Sequence, residues 1–138
     1  MGTAAYSEHP AARRIAGKRI LVAEDESDIR KMLRIVLEAV GAIVSEAGSV
    51  TEALQVLRGS TIDLLVLDWH LGGLSGDRVL SDIAAWKPPF EGRVLVVSGD
   101  QRVTAAIAPA STKVSVLIKP FRPVDLVAAL GSLLADAN

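Results

Sequence analysis

A short apolar run that ends in an acid, Leu64–Asp68 (LLVLD), constrains the fold more than any other part of the sequence. Four consecutive bulky apolar residues are typical of a strand buried on both faces, as in a parallel sheet covered by helices. The loop that follows contains Gly72, Gly73 and Gly76. Open α/β folds bind their ligands where buried strands run into such loops, at the carboxyl edge of the sheet. We therefore expect Asp68 to be the principal functional residue.

Four further segments are predicted to be strands, and helices are predicted between them. The other strands are Arg19–Ala23, Ile43–Ala47, Val94–Val97 and Val114–Ile118. The helices are predicted from Ile29 to Val40, from Val50 to Gly59, from Asp77 to Trp86, from Gln101 to Ala108, and from Pro123 onwards. Ser27 or Asp28 can cap the first of these helices, and Ser49 to Glu52 fits a capping box. Five strands alternating with five helices imply right-handed crossovers and a doubly wound parallel sheet.

The composition excludes several classes of protein. The chain has 138 residues, half of them hydrophobic, which is enough for one globular domain. It has no cysteine, which excludes disulfides, thiol catalysis and Cys-ligated zinc and favours a cytoplasmic location. A formal charge of −1 without a basic block argues against direct nucleic-acid binding. No apolar run approaches the ~20 residues of a membrane span, and no signal-peptide core is present.

The first residues show no sustained hydrophobic period. We expect residues 1–17 to form a disordered N-terminal extension, with one helical turn near Ala11–Ile15, and residues 18–138 to form the folded domain.

Polar residues stand at the ends of four of the five predicted strands. Glu24 and Asp25 follow the first strand, Asp68 the third, Ser98 the fourth and Lys119 the fifth. In a parallel sheet these ends lie at one edge, so the side chains should converge there. Oxygen ligands without Cys suit a hard cation such as Mg²⁺. A carboxylate nucleophile, a divalent cation, a lysine and a hydroxyl predict a phosphoryl-transfer site that forms an aspartyl phosphate.

With these residues in this order and spacing, the chain closely resembles the receiver domain of two-component response regulators, as found in chemotaxis regulators. The marks that carry the resemblance are Glu24-Asp25, Leu64–Asp68, Gly76 eight positions after Asp68, Ser98, and Lys119-Pro120-Phe121. The resemblance covers residues 18 to about 135. It implies a flavodoxin-like five-stranded parallel sheet with the strand order 2-1-3-4-5.

The resemblance also implies what the site does. Asp68 would accept a phosphoryl group from a histidine kinase or a histidine phosphotransfer protein, with Mg²⁺ required. Asp25, Asp68 and the backbone carbonyl of His70 would ligate the metal, and Glu24 would act through water.

Ser98 and Lys119 would hold the phosphoryl oxygens and relay the change. The domain would then be a cytoplasmic signalling switch, with weak self-dephosphorylation as its only catalysis. The kinase would dock on the first helix and the active-site loops, and the helix residues Arg30, Lys31 and Arg34 are expected to be exposed. The downstream protein target and the formation of a homodimer are left open.

Among the departures from the usual pattern of the family, one concerns the loop after Asp68 and another the fifth strand. Leu71-Gly72 stands where the family usually has Met-Pro, which should loosen the loop after Asp68. Val116 occupies the place of the usual switch aromatic, so a Tyr or Phe rotamer coupled to Ser98 cannot be the output here.

Two other classes of function remain open. A binding module that is never phosphorylated is compatible with the missing aromatic, although the complete set of acid, Ser and Lys residues argues against it. A haloacid-dehalogenase-like phosphatase would place a second acid two residues after its nucleophile, where this chain has His70. The sequence does not distinguish a stand-alone receiver from a receiver within a larger hybrid kinase.

Overall fold

The computed structural model describes residues 6–107 and 113–135. Its centre is a five-stranded sheet in which all neighbouring strands run parallel. The strands are β1 (Arg19–Ala23), β2 (Ile43–Ala47), β3 (Leu64–Asp68), β4 (Arg93–Ser98) and β5 (Val114–Ile118). Their spatial order is β2-β1-β3-β4-β5. This order confirms the predicted doubly wound, flavodoxin-like sheet.

Helices cover both faces of the sheet. They are α1 (Ser27–Ala39), α2 (Val50–Gly59), α3 (Asp77–Ala85), α4 (Arg102–Ile107) and α5 (Pro123–Ala135). One hydrophobic cluster joins the sheet to α1 and α5, and a second joins it to α2, α3 and α4. The predicted end of α4, at Ala108, lies outside the described residues. In residues 6–107 and 113–135, none of the helices combines the length and the hydropathy of a membrane span.

Strand β3 is buried along its whole length, which explains its unbroken apolar sequence. Leu64 and Val66 belong to the cluster with α1 and α5, whereas Leu65 and Leu67 belong to the opposite cluster. Successive side chains of a strand point to opposite faces, so both faces of a central strand need apolar residues. Burial of each such side chain stabilises the fold by roughly 1.5–3 kcal/mol. The strand therefore fixes Asp68 at a rigid sheet edge.

The two predicted caps differ in outcome. The prediction that Ser27 or Asp28 caps α1 is wrong, since the N-cap residue is Glu26, whose side chain makes no capping hydrogen bond. The capping box of α2 is confirmed in its serine half, because Ser49 Oγ accepts the N–H of Glu52 at 3.1 Å. The Glu52 carboxylate accepts the N–H of Gly48 at 2.9 Å, one residue before the predicted partner Ser49.

The N-terminal segment, which we define as residues 6–17, is folded. The prediction of a disordered extension is therefore wrong for this part, while residues 1–5 lie outside the described residues. The expected helical turn is present as a four-residue N-terminal helix, Ala12–Ile15. The buried apolar residues of the segment join the cluster with α1 and α5, and they are Tyr6, Ala11, Ala12 and Ile15. Their spacing follows no helical or strand period, because the segment consists of short helical pieces joined by a turn.

The N-terminal segment crosses α5 in close contact at Gly131. A Cβ atom built on Gly131 would overlap the Cβ of Ala11 and lie 3.0 Å from its Cα. The backbone carbonyl of Gly131 also accepts a hydrogen bond from Arg14 Nη1 at 3.4 Å. A residue with a side chain at position 131 would hold the segment away from α5, so glycine is required there by packing.

Candidate functional site

The sheet brings the predicted site residues to one edge. Asp68 is the last residue of β3 and Ser98 the last of β4, and they are 6% and 1% exposed. Glu24 directly follows β1 and is 2% exposed, and Lys119 directly follows β5. These four residues come from four adjacent strands. Their polar groups therefore meet at the carboxyl edge, where α/β sheets bind ligands.

Three carboxylates form the centre of the site. Glu24, Asp25 and Asp68 each place a carboxylate oxygen so that all three lie within 4.8 Å of one another. Lys119 Nζ lies 3.5 Å from Asp68 Oδ1 and 3.8 Å from Glu24 Oε1. Among the described residues it is the one cation within 4 Å of these acids. When all three acids are ionised, one lysine leaves an excess of negative charge, which a divalent cation would neutralise.

The electrostatics of Glu24 support this interpretation. Its pKa is raised from 4.5 to about 7, chiefly because burial disfavours the charged form. The hydrogen bond and charge of Asp68 raise the pKa further, whereas the N–H of Glu26 and the charge of Lys119 lower it. Near neutral pH Glu24 is therefore partly protonated. Carboxylate oxygens are the donors that a hard ion such as Mg²⁺ prefers, and a bound cation would favour the ionised form of Glu24.

The hydroxyl and the lysine are linked through the backbone. The N–H of Lys119 donates to the carbonyl of Ser98 at 2.8 Å, and the peptide bond from Lys119 to Pro120 is cis. Ser98 Oγ accepts the N–H of Asp100 at 3.0 Å. Because this contact uses a lone pair, the Ser98 hydroxyl keeps its proton for another acceptor. The chain thus presents one hydroxyl donor and one ammonium group at neighbouring strand ends.

A small hairpin that sequence reasoning missed follows Asp68. Residues His70–Leu71 pair with Leu74–Ser75 in antiparallel register. The turn between them has positive φ at both Gly72 (62°) and Gly73 (81°), the combination that a two-residue turn of type I′ requires. The N–H of Gly72 donates to Asp25 Oδ2 at 3.2 Å. The glycine that replaces the usual proline therefore provides a turn conformation and a hydrogen bond that proline cannot.

The start of this loop packs closely against the end of β3. The N–H of His70 donates to Asp68 Oδ1 at 3.3 Å, while the His70 side chain is exposed. The N–H of Gly76 donates to the carbonyl of Trp69 at 2.6 Å. A Cβ atom on Gly76 would lie 3.0 Å from the Trp69 ring and 3.3 Å from Leu67 Cδ2. Glycine at position 76 thus allows the backbone of the loop to pack against the Trp69 ring, next to Asp68.

The exposed basic face expected on α1 is only partly present. Arg30 and Arg34 both pair with Glu46 of β2, at 3.0 Å and 2.6 Å, and Arg34 also pairs with Glu38 at 3.1 Å. Lys31 is exposed as expected. The expectation that all three residues are exposed is wrong for Arg30, whose side chain is 22% exposed, whereas the Arg34 side chain is 41% exposed although it is ion-paired. The acid on β2 that engages them was not recognised in the sequence.

Comparison with known proteins finds similarity to response regulators. The family model of the response regulator receiver domain matches residues 20–131. The phosphate regulon transcriptional regulatory protein PhoB of Pseudomonas aeruginosa is 29% identical over 124 residues, covering 87% of this chain and 53% of PhoB. The alginate biosynthesis regulator AlgB of the same species is 35% identical over 109 residues, or 78% of this chain and 24% of AlgB. The chain thus spans about half the length, or less, of these relatives.

Solved structures show the same fold. A putative response regulator from Chloroflexus aurantiacus superimposes with a TM-score of 0.77 at 28% identity, covering 86% of this chain and 98% of that one. The response regulator TrrA of Thermotoga maritima, solved in complex with Mg²⁺ and BeF, gives a TM-score of 0.73 at 26% identity. That match covers 84% of this chain and 98% of TrrA.

Proposed function

This chain belongs to the response regulator receiver domain family of two-component systems, and we propose that Asp68 is its phosphoacceptor. The observation that carries the proposal is the cluster of Glu24, Asp25 and Asp68, with ligand oxygens within 4.8 Å of one another and Lys119 3.5 Å from Asp68. The relative TrrA, solved with Mg²⁺ and BeF, supports the same use of the site.

In the proposed reaction, Asp68 attacks the phosphorus atom of a phosphohistidine on a histidine kinase or phosphotransfer protein. A bond forms between a carboxylate oxygen and phosphorus, the phosphorus–nitrogen bond breaks, and the imidazole leaves with the bonding electrons and takes up a proton. Lys119 and Ser98 lie beside the position of the transferred group and hold its oxygens by an ammonium and a hydroxyl donor. Lys119 Nζ and the N–H of His70 both orient Asp68 through Oδ1.

We further propose that Asp25, Asp68 and the backbone carbonyl of His70 would hold Mg²⁺, with Glu24 acting through water. The bound ion would neutralise charge on the carboxylates and the phosphoryl oxygens. The cluster of carboxylate oxygens from Glu24, Asp25 and Asp68 supports this assignment.

Intact-mass measurement tests the proposed function directly. The protein is incubated with acetyl phosphate and Mg²⁺, beside an Asp68→Asn variant and a sample with EDTA. A single phosphoryl adduct should form in the wild-type protein with Mg²⁺ and be missing from both controls. An adduct that persists in Asp68→Asn would refute the assignment of Asp68. Mg²⁺ binding without an adduct would indicate dependence on a kinase.

The two alternatives make different predictions in the same assay. A binding module that is never phosphorylated gives no adduct and no Mg²⁺ binding. An aspartyl-phosphate phosphatase would release phosphate from many donors with repeated turnover, whereas a receiver with weak self-dephosphorylation releases it slowly. The position two residues after Asp68 carries the exposed imidazole of His70 rather than an acid, which disfavours the phosphatase.

For the kinase or phosphotransfer partner, we propose docking on the exposed face of α1. This face carries Lys31 together with Met32 and Ile35, which are 43% and 63% exposed. Ile35→Glu should slow phosphotransfer from the partner and leave the reaction with acetyl phosphate unchanged. Ile43→Glu is the matched control, since Ile43 is 51% exposed but begins β2 at the opposite end of the sheet. Equal effects of both variants would refute docking on α1.

The remaining assignments are also proposals. We propose a signalling role in the cytoplasm and a protein, rather than a nucleic acid, as the direct target of this domain. The domain can act as a monomer or as a homodimer. Relatives such as PhoB are transcriptional regulators, but this chain covers only 53% of that protein.

A further inference from the structure

Arg30 occupies a position between the acidic site and strand β2. Its Nη1 donates to the backbone carbonyl of Glu24 at 2.8 Å, and its Nε donates to Glu46 Oε1 at 3.0 Å. The side chain is 22% exposed. One guanidinium therefore joins the end of β1 to the end of β2, and the carboxylate of Glu46 balances its charge.

The Glu24 carbonyl that Arg30 contacts lies just beyond the end of β1, next to the acidic site. The N–H of Glu24 is bound to the carbonyl of Ala47 at 3.0 Å, which extends the ladder between β1 and β2 by one residue. Beyond this point the second strand ends, and Arg30 supplies the next donor. The Glu24 carbonyl belongs to the peptide unit that joins Glu24 to Asp25, and a peptide unit is planar. Fixing it restricts the directions in which both acidic side chains leave the backbone.

The guanidinium lies close to the turn at Gly48. A Cβ atom on Gly48 would approach Arg30 Nη1 to 3.2 Å and Glu52 Oε1 to 3.3 Å. Glu52 in turn accepts the N–H of Gly48 at 2.9 Å, which holds this turn in place. The absence of a side chain at Gly48 thus leaves room for the guanidinium beside this turn.

Arg34 provides an internal comparison. It lies one turn further along α1 and pairs with the same Glu46, at 2.6 Å, but its other partner is Glu38 and its side chain is 41% exposed. Arg30 and Arg34 therefore share a charge and an acidic partner. They differ in the hydrogen bond to the Glu24 carbonyl.

We propose that Arg30 is a positioning residue that orients the Glu24–Asp25 pair for binding of a divalent cation. This inference rests on the proposed function, since it concerns the same site. Arg30 does not contact the cation or the phosphoryl group, and it acts through the peptide unit it holds.

Mg²⁺ titration by calorimetry tests the inference with three variants. Arg30→Gln should raise the Kd for Mg²⁺ by about 10-fold or more, the usual range for loss of an orienting partner being about 10–100-fold. Arg34→Gln, the matched control, should change it by less than about 2-fold. Arg30→Lys should give an intermediate value, because an ammonium group cannot replace both arms of the guanidinium fork. Thermal unfolding in EDTA shows whether each variant is folded.

Two further results make the test decisive. At Mg²⁺ concentrations far above the raised Kd, phosphorylation of Arg30→Gln by acetyl phosphate should return to the wild-type rate. Equal Kd changes in Arg30→Gln and Arg34→Gln, or a rate that stays low at saturating Mg²⁺, would overturn the inference while the proposed function stands. Failure of the wild-type protein to bind Mg²⁺ would instead refute the proposed metal site, and this inference with it.

Discussion

Replacing Gly131 with alanine tests whether the N-terminal segment packs against α5. In an isolated helix this change is stabilising, by about 1 kcal/mol, because alanine has the higher helix propensity. In this protein the new Cβ would overlap the Cβ of Ala11 and lie 3.0 Å from its Cα. Neither atom can rotate away, so the segment itself must move. The structure therefore predicts the opposite sign from helix propensity.

The expected magnitude follows from these opposing effects. Overpacking of a tight contact costs about 1–3 kcal/mol, and a contact with backbone-fixed atoms belongs in the upper part of that range. After subtraction of the propensity gain, Gly131→Ala should lower the free energy of unfolding by about 1–2 kcal/mol. For a domain of this size that corresponds to a Tm lower by roughly 3–6 °C.

Urea unfolding followed by circular dichroism measures this change. Gly59→Ala is the matched control, since Gly59 lies in a helix and its Cβ would meet no atom within 4 Å. It should be neutral or stabilising. Combining Gly131→Ala with Ala11→Gly should recover about 1 kcal/mol relative to the sum of the single changes. If Gly131→Ala stabilises the protein as Gly59→Ala does, without coupling to Ala11, the N-terminal segment is not packed as described.

Three further predictions concern the acidic site. The pKa of Glu24 is raised to about 7 in the folded, metal-free protein, so between pH 4.5 and about pH 7 the folded state binds a proton that the unfolded chain has lost. The free energy of unfolding should therefore fall by up to about 3 kcal/mol as the pH rises through this range. Urea unfolding in EDTA should show this slope, and Glu24→Gln should flatten it. Gly72→Pro removes the N–H that binds Asp25, and proline cannot adopt the φ of 62° found at this position. Calorimetry should show an affinity for Mg²⁺ lowered several-fold. The control Gly72→Asn should stay near the wild-type affinity, because asparagine tolerates this φ. Lys119→Ala removes the ammonium 3.5 Å from Asp68, and the rate of phosphorylation by acetyl phosphate should fall by at least about 10-fold; an unchanged rate would remove Lys119 from the proposed mechanism.

The sheet and its functional edge were predictable because their signals are local. Strand β3 needs apolar residues on both faces, so its sequence is unbroken, and polar residues at successive strand ends must meet when the strands are parallel. These two facts locate Asp68 and its neighbours without any tertiary information. The capping serine of α2 was recognisable for the same reason, since its partner lies three residues away.

The features that sequence reasoning missed depend on contacts between distant segments. Arg30 was assigned to the surface because a helix pattern cannot show that Glu46, on another strand, lies within 3.0 Å of it. The N-terminal segment lacks a hydrophobic period, and its contact with α5 depends on a glycine, Gly131, that lies more than 100 positions from Ala11 in the sequence. The hairpin after Asp68 was judged to be a loose loop, although two adjacent glycines are a recognised signal for a two-residue turn.

The contact between Ala11 and Gly131 also has an evolutionary consequence. The two positions are complementary in volume, so a larger residue at one requires a glycine or a displaced backbone at the other. In relatives that keep this segment, the pair should covary. A chimaera that takes α5 from another receiver should also take that receiver's N-terminal segment. Otherwise the residues at positions 11 and 131 will overlap or leave a cavity between the segment and the helix.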